Sequence, residues 1–147
     1  MTGSNFFVAG AAAMTSERDD WETPQALFDA LDEKYHFTLD PCSTHENAKC
    51  AKHYTVEEDG LKQSWEGEVV FCNPPYGRGI GEWVKKCHEE SAHAKVVMLI
   101  PARTDTAYFH DHIYHNADIE FLRGRLKFEM GGVAGQSAPF PSMIVEF

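Results

Sequence analysis

Val69-Val70-Phe71-Cys72-Asn73-Pro74-Pro75-Tyr76 is the stretch on which the reading of this chain turns. Four apolar residues predict a short buried strand. Asn73-Pro74-Pro75 ends it at once, because proline fixes φ and withdraws a backbone donor. Ligands of open α/β sheets collect beyond the carboxyl ends of the strands, so a stiff polar loop at such an end is a candidate site.

Working outward, Phe37-Thr38-Leu39 reads as another short strand, ending in Asp40-Pro41-Cys42. Before it, Thr23 is expected as an N-cap with Pro24 at the first helical position, and Leu27, Phe28, Leu31 and Tyr35 form an apolar helical face. After Gly77-Arg78-Gly79, the spacing of Ile80, Trp83, Val84 and Cys87 predicts an amphipathic helix, and residues 96–100 a buried strand stopped by Pro101. Thr104 or Asp105 is expected to cap a further helix through Tyr108, Phe109, His112 and Ile113. Short strands are expected at 119–122, 126–128 and 143–147. Strands alternating with helices predict an α/β fold with a mainly parallel sheet, antiparallel strands being admitted at the C-terminal end. With no internal repeat, low-complexity tract or linker, we expect an N-terminal tail over residues 1–20 and one domain over 21–147.

A chain of 147 residues with 43% hydrophobic and 24% charged content fits one soluble globular core. No stretch approaches the roughly 20 apolar residues of a membrane span, and the run at 6–14 lacks a basic leader, so neither a span nor a signal peptide is expected. Cys42, Cys50, Cys72 and Cys87 are read as reduced thiols, which points to the cytoplasm. A formal net charge of -10 excludes wrapping nucleic acid by charge alone, since phosphate contacts dominate such binding. Any nucleic-acid contact must come from a local basic surface. The candidates are Arg103, Arg123, Arg125 and Lys127, the last three within R-G-R-L-K.

The loop has a definite chemistry. A ring-bound amino group is a poor nucleophile because its lone pair is delocalised. The side-chain oxygen of Asn73 and the carbonyl of Pro74 can accept its two hydrogens and favour a pyramidal nitrogen aimed at a methyl donor. Pro75 biases residue 74 toward extended backbone, so the acceptors are held stiffly. Tyr76 is expected to offer a flat face to a base taken out of the duplex. Asp40 would set a carboxylate beside the cationic part of a methionine-derived cofactor. Trp21, Thr23 and Pro24 are expected to close over that cofactor, and Asp59 to bond its adenine or ribose; a plain acidic turn accounts equally for Asp59.

Taken together, W-E-T-P-Q-A-L-F, L-D-P-C, D-G-L-K-Q-S-W, F-C-N-P-P-Y-G-R, W-V-K-K-C, L-I-P-A-R-T-D-T, G-R-L-K-F and A-P-F-P-S resemble the phage-type DNA N-6-adenine methyltransferases, from about Trp21 to Phe147. The resemblance implies a Rossmann-like methyltransferase fold, S-adenosylmethionine as donor and a D/N-P-P-Y/F catalytic loop, here Asn73, Pro74, Pro75 and Tyr76. It also implies a cofactor pocket built from Thr23, Pro24 and Asp40. Double-stranded DNA with a flipped base is the implied partner, and the cytoplasm of a bacterial host the implied setting. One departure stands out: C-S-T-H-E-N-A follows Asp40 where the wider methyltransferase pattern has a glycine-rich turn, so residues 43–48 are left unassigned.

Other readings stay open at this level. Glutamine methyltransferases and some RNA methyltransferases also use N-P-P-Y, because a planar amide or amidine nitrogen poses the same problem. Cys42-x2-His45 and Cys50-x2-His53, with His110, His112 and His115, have the look of zinc ligands, although eight histidines generate such pairs by chance and no metal is expected. A non-catalytic nucleic-acid-binding relative is the third reading, against which the intact acceptor loop speaks.

Overall fold

The computed structural model describes residues 21–147; the expected tail, residues 1–20, lies outside the described residues. Helix α1 spans Gln25–Tyr35 and α2 spans Ile80–Glu90. The strands are β1 Val69–Cys72, β2 Lys95–Pro101, β3 Asp118–Phe121, β4 Glu129–Met130, β5 Val133–Ala134 and β6 Ser142–Glu146. A four-stranded sheet runs β1-β2-β6-β3, and β4-β5 form a separate hairpin.

The sheet is mixed. β1 and β2 are parallel, whereas β6 is antiparallel to both β2 and β3. Since β2 and β3 both oppose β6, they run the same way as β1. Residues 37–40 join β1 through a parallel bridge at Leu39 and Val70. The expectation of a mainly parallel sheet therefore needs a correction: the one reversed strand sits inside the sheet, so two of the three ladders are antiparallel. The cause lies in the returning chain, which leaves the β4-β5 hairpin and fills the slot between β2 and β3.

Alternation along β1 explains the layering. Phe71 packs edge-on against Phe28 of α1 at 5.2 Å, while Cys72 on the opposite face meets Cys87 of α2. Each helix thus covers one face. Val96, Val97, Met98, Leu99 and Ile100 of β2 are all fully buried, as a strand covered on both faces requires.

Several local expectations are corrected. Thr23 is not an N-cap: α1 starts at Gln25, no side chain caps it, and Pro24 sits at the cap position with ψ 129°. The third helix is capped by Thr106, whose Oγ1 accepts from Phe109 N at 3.3 Å, and it includes a π-helical turn over Phe109–Ile113. Residues 126–128 precede the ladder instead of forming it. Gly131 and Gly132, at φ 62° and 84°, make the tight turn that places pairing at 129–134.

A short 3-10 turn, Gly60–Lys62, closes the region after residues 37–40. The buried indole of Trp65 donates to Gly60 O at 3.1 Å. A Cβ on Gly60 would lie 2.1 Å from Pro41 O, whereas one on Gly79 meets nothing within 4 Å. We expect Gly60→Ala to destabilise the chain by about 1–3 kcal/mol, as overpacking does, with Gly79→Ala close to neutral. Urea unfolding of both variants checks this.

Candidate active site

The carboxyl ends of the co-directed strands lie along one edge of the sheet, and there Asp40 and Asn73 open onto one cavity of about 470 Å³. That volume falls within the roughly 300–1,000 Å³ usual for small-molecule sites. Trp21, Leu61, Phe71, Pro74, Pro75 and Trp83 supply apolar walls, and Glu22, Thr23, Asn47, Lys49 and Asp59 are among the other polar residues that line it. Val56 stands at the rim with 93% of its surface exposed.

Asn73 is held from both ends of its amide. Its Nδ2 donates to the Trp21 carbonyl and to Thr23 Oγ1 at 2.9 Å. Its Oδ1 accepts from the Tyr76 hydroxyl at 2.5 Å, and that hydroxyl has a second acceptor, Leu99 O, at 3.0 Å.

Asp40 folds the loop that follows it. Its two oxygens accept from Cys42 N at 3.2 Å and Lys49 N at 3.0 Å. Thr44 and Asn47 bond reciprocally within the loop, at 2.8 and 3.1 Å. Burial raises the Asp40 carboxyl to about 6, despite those two bonds and the nearby His53 and Lys49. Cys42 and Cys50 are pushed up to about 12, chiefly by burial and then by Asp40.

A family profile described as DNA N-6-adenine-methyltransferase (Dam) matches residues 10–145. The chain belongs to this family. It is 34% identical over 118 residues to the DNA N-6-adenine-methyltransferase of Escherichia phage T1, covering 78% of this chain and 49% of the relative. It is 28% identical over 139 residues to the DNA N-6-adenine-methyltransferase of Haemophilus phage HP1 (strain HP1c1), covering 90% and 80%. The putative methyltransferase YfdM of Escherichia coli (strain K12) matches at 35% over 65 residues, 40% of this chain and 71% of that protein. The chain therefore spans about half the length of the phage T1 relative.

In this Dam-family chain the cavity brings together Trp21, Thr23, Asp40, Asp59, Asn73, Pro74 and Pro75. Pro24 is not among the lining residues and sits at the start of α1. Tyr76 departs from expectation: only 6% of it is exposed, and its ring packs edge-on against Phe128 and Phe140. Its face is enclosed by aromatic neighbours, so what it gives the site is its hydroxyl. Asp59 has φ 58° and its Oδ1 accepts from Leu61 N at 3.1 Å, so it is at once a turn residue and a cavity residue.

Arg103, Arg123, Arg125 and Lys127 are all exposed, outside the cavity wall. Arg103 follows β2 and Arg123 follows β3, so both leave the sheet at the edge that carries Asp40 and Asn73. Arg103 lies over the Phe140 ring at 5.9 Å, and that ring meets Trp21 at 5.1 Å. Sequence reasoning missed Lys49, Tyr54 and Val56 on the cavity wall, and Phe128 and Phe140 beneath Trp21. The blocks G-R-L-K-F and A-P-F-P-S held the last two in view, without a signal that their rings meet.

Among the described residues no group of three or more His, Cys, Asp or Glu is placed to hold a metal ion. His45 and His53 instead pair with each other, Nδ1 to Nε2 at 2.8 Å, and His88 with His112 at 3.1 Å.

Asp40 gives a pH signature. Its carboxyl titrates near 3.8 when exposed and near about 6 when folded, so the folded chain holds that proton more tightly. The stability this provides is complete below about pH 4 and is lost as pH rises through about 6. The unfolding free energy of the wild type minus that of Asp40→Asn should therefore fall across this interval in denaturant titrations. A flat difference would contradict the burial argument.

Proposed function

We propose that this chain transfers a methyl group from S-adenosylmethionine to the exocyclic N6 of adenine in double-stranded DNA, with the target base taken out of the stack. The fold is then the Rossmann-like methyltransferase type, with β6 as its reversed strand. The observation that carries the reading is the meeting of Asn73 and Asp40 on one cavity, at the carboxyl ends of adjacent parallel segments. Membership of the Dam family supports both reaction and substrate.

The residues fit the donor. Asp40 and Asp59, two of the three carboxylates on walls that also carry Thr44, Asn47 and Lys49, suit a ligand with a cationic amino-acid part and a hydroxyl-bearing ribose. Asp40 would face the cationic part, which favours its ionised form; Asp59 would take the ribose or adenine; Trp21, Thr23 and Pro24 would form the closing segment. S-adenosylmethionine bound there supplies a methyl carbon made electrophilic by its sulfonium. Asn73 Oδ1 and the Pro74 carbonyl accept the two amine hydrogens, so that the nitrogen lone pair faces that carbon. Trp21, Phe71 and Trp83 line the cavity and would exclude water, which strengthens the polar contacts.

Arg103, Arg123, Arg125 and Lys127 would contact phosphates along the same edge. No helix among the described residues is long and apolar enough to cross a membrane, and the named phage relatives suit action in the cytoplasm of a bacterial host.

Replacing the acceptor separates chemistry from binding. Asn73→Ala should lower turnover at least about a hundredfold, the scale of losing an oriented polar contact in the transition state, while donor affinity by calorimetry stays within about threefold. Near-normal turnover would reject Asn73 as the acceptor. A second expectation concerns specificity. Each good base contact supplies roughly 1–3 kcal/mol of discrimination, and the loop at 77–79 before α2 and the segment 131–141, which includes β5, are offered for that work. Methylation should fall on many short sequence contexts when DNA from expressing cells is sequenced by single-molecule methods. Restriction to one strict site of about six base pairs or more would contradict it.

A further inference from the structure

The hydrogen bonds around Asn73 close into an account with one opening. A backbone carbonyl can only accept, so the amide atom facing Trp21 O must be Nδ2. Two hydrogens on Nδ2 then meet two acceptors, Trp21 O and Thr23 Oγ1. Oδ1 is turned the other way and has two lone pairs. Tyr76 occupies one of them, and its single proton has Leu99 O as an alternative acceptor. What remains is an oxygen, on a residue that lines the cavity, with room for at least one more donor. Thr23 is 2% and Tyr76 6% exposed, so bulk water does not compete for these bonds.

We propose that the Trp21 carbonyl and the Thr23 hydroxyl form a clamp that turns Asn73 Oδ1 toward the substrate amine. Thr23 is then a positioning residue for methyl transfer, and an amide rather than a carboxylate is required at position 73. The proposal rests on the reading of Asn73 as the acceptor. It departs from the D/N alternation of the wider loop pattern, because in this chain a carboxylate would set an oxygen against the Trp21 carbonyl with no hydrogen between them.

The clamp is itself anchored. Glu129 N donates to Glu22 O at 2.9 Å, pairing the segment with β4. The Trp21 ring packs edge-on against Phe128 at 5.5 Å and Phe140 at 5.1 Å. The orientation of the acceptor thus depends on a segment fifty residues upstream, which also forms part of the cavity wall. Valine at position 23 keeps the shape of the side chain and removes the hydroxyl that Asn73 bonds.

The test compares Thr23→Val, Thr23→Ser, Asn73→Asp and Asn73→Ala in steady-state methylation of duplex DNA, with donor affinity measured separately. Thr23→Val should lower kcat about tenfold or more, since small misplacements of reacting groups have effects of that size. KM for DNA and donor affinity should stay within about threefold, and Thr23→Ser should restore kcat to within about threefold of the wild type. Asn73→Asp should be nearly inactive at about pH 8 and gain kcat as the pH is lowered, because the protonated carboxyl can again donate to Trp21 O; the wild type should show no such gain. A Thr23→Val enzyme with wild-type kcat, or an Asn73→Asp enzyme with high and pH-independent kcat, would overturn the clamp. If Thr23→Val fails to fold, the pH profile of Asn73→Asp still decides. An active Asn73→Ala would instead reject the acceptor reading itself, whereas an inactive Asn73→Ala beside a fully active Thr23→Val would reject the clamp alone.

Discussion

The parallel pairing of residues 37–40 with β1 is the constraint on which the site depends. Thr38 N donates to Val69 O at 2.7 Å, and Phe71 N donates to Leu39 O at 3.0 Å. Because the segments run the same way, both end at one edge of the sheet. Asp40 and Asn73 therefore reach a common cavity although they are more than thirty residues apart in sequence. A shift of one residue would turn Asp40 to the opposite face. Thr38 Oγ1, which accepts from Val69 N at 2.8 Å, helps to fix that register.

Charge is distributed in a way that fits the proposed anionic partner. The formal net charge of -10 is spread over the chain, whereas Arg103 and Arg123 leave the sheet at the edge that carries the cavity. On the proposed reading few phosphate contacts are available, and binding would owe more to an extruded base and less to the backbone. Burial inside the cavity works in the other direction. Asp40 holds a proton until the pH passes about 6, and a cation beside it would displace that proton.

Much of this was legible in the residues. Val69–Cys72 appears as read, because a four-residue apolar run stopped by Asn73-Pro74-Pro75 leaves little alternative, and Asp40 and Asn73 were marked by their positions at strand ends. Thr23 and Tyr76 were read by local rules that tertiary structure overrides. A Thr-Pro pair normally starts a helix, but here the hydroxyl accepts from Asn73. An aromatic residue on a loop normally offers its face, but Phe128 and Phe140 enclose Tyr76. No periodicity encodes contacts between residues fifty or more apart. An antiparallel strand was admitted at the C-terminal end, but its place was missed for a related reason: residues 143–147 declare a strand, whereas its position between β2 and β3 follows from where the β4-β5 hairpin delivers the chain. The absence of a glycine-rich turn after Asp40 became intelligible only from the loop itself, in which the Asp40 carboxylate takes up the N–H groups of Cys42 and Lys49.

The central claim is that the cavity joins a methyl donor to a planar amino nitrogen of adenine. The most direct measurement incubates the purified chain with S-adenosylmethionine carrying a labelled methyl group and, separately, with duplex DNA, RNA and protein, and then identifies the labelled product by mass spectrometry. The account predicts label in N6-methyladenine from duplex DNA. Label confined to RNA, to a glutamine side chain or to another base would contradict it.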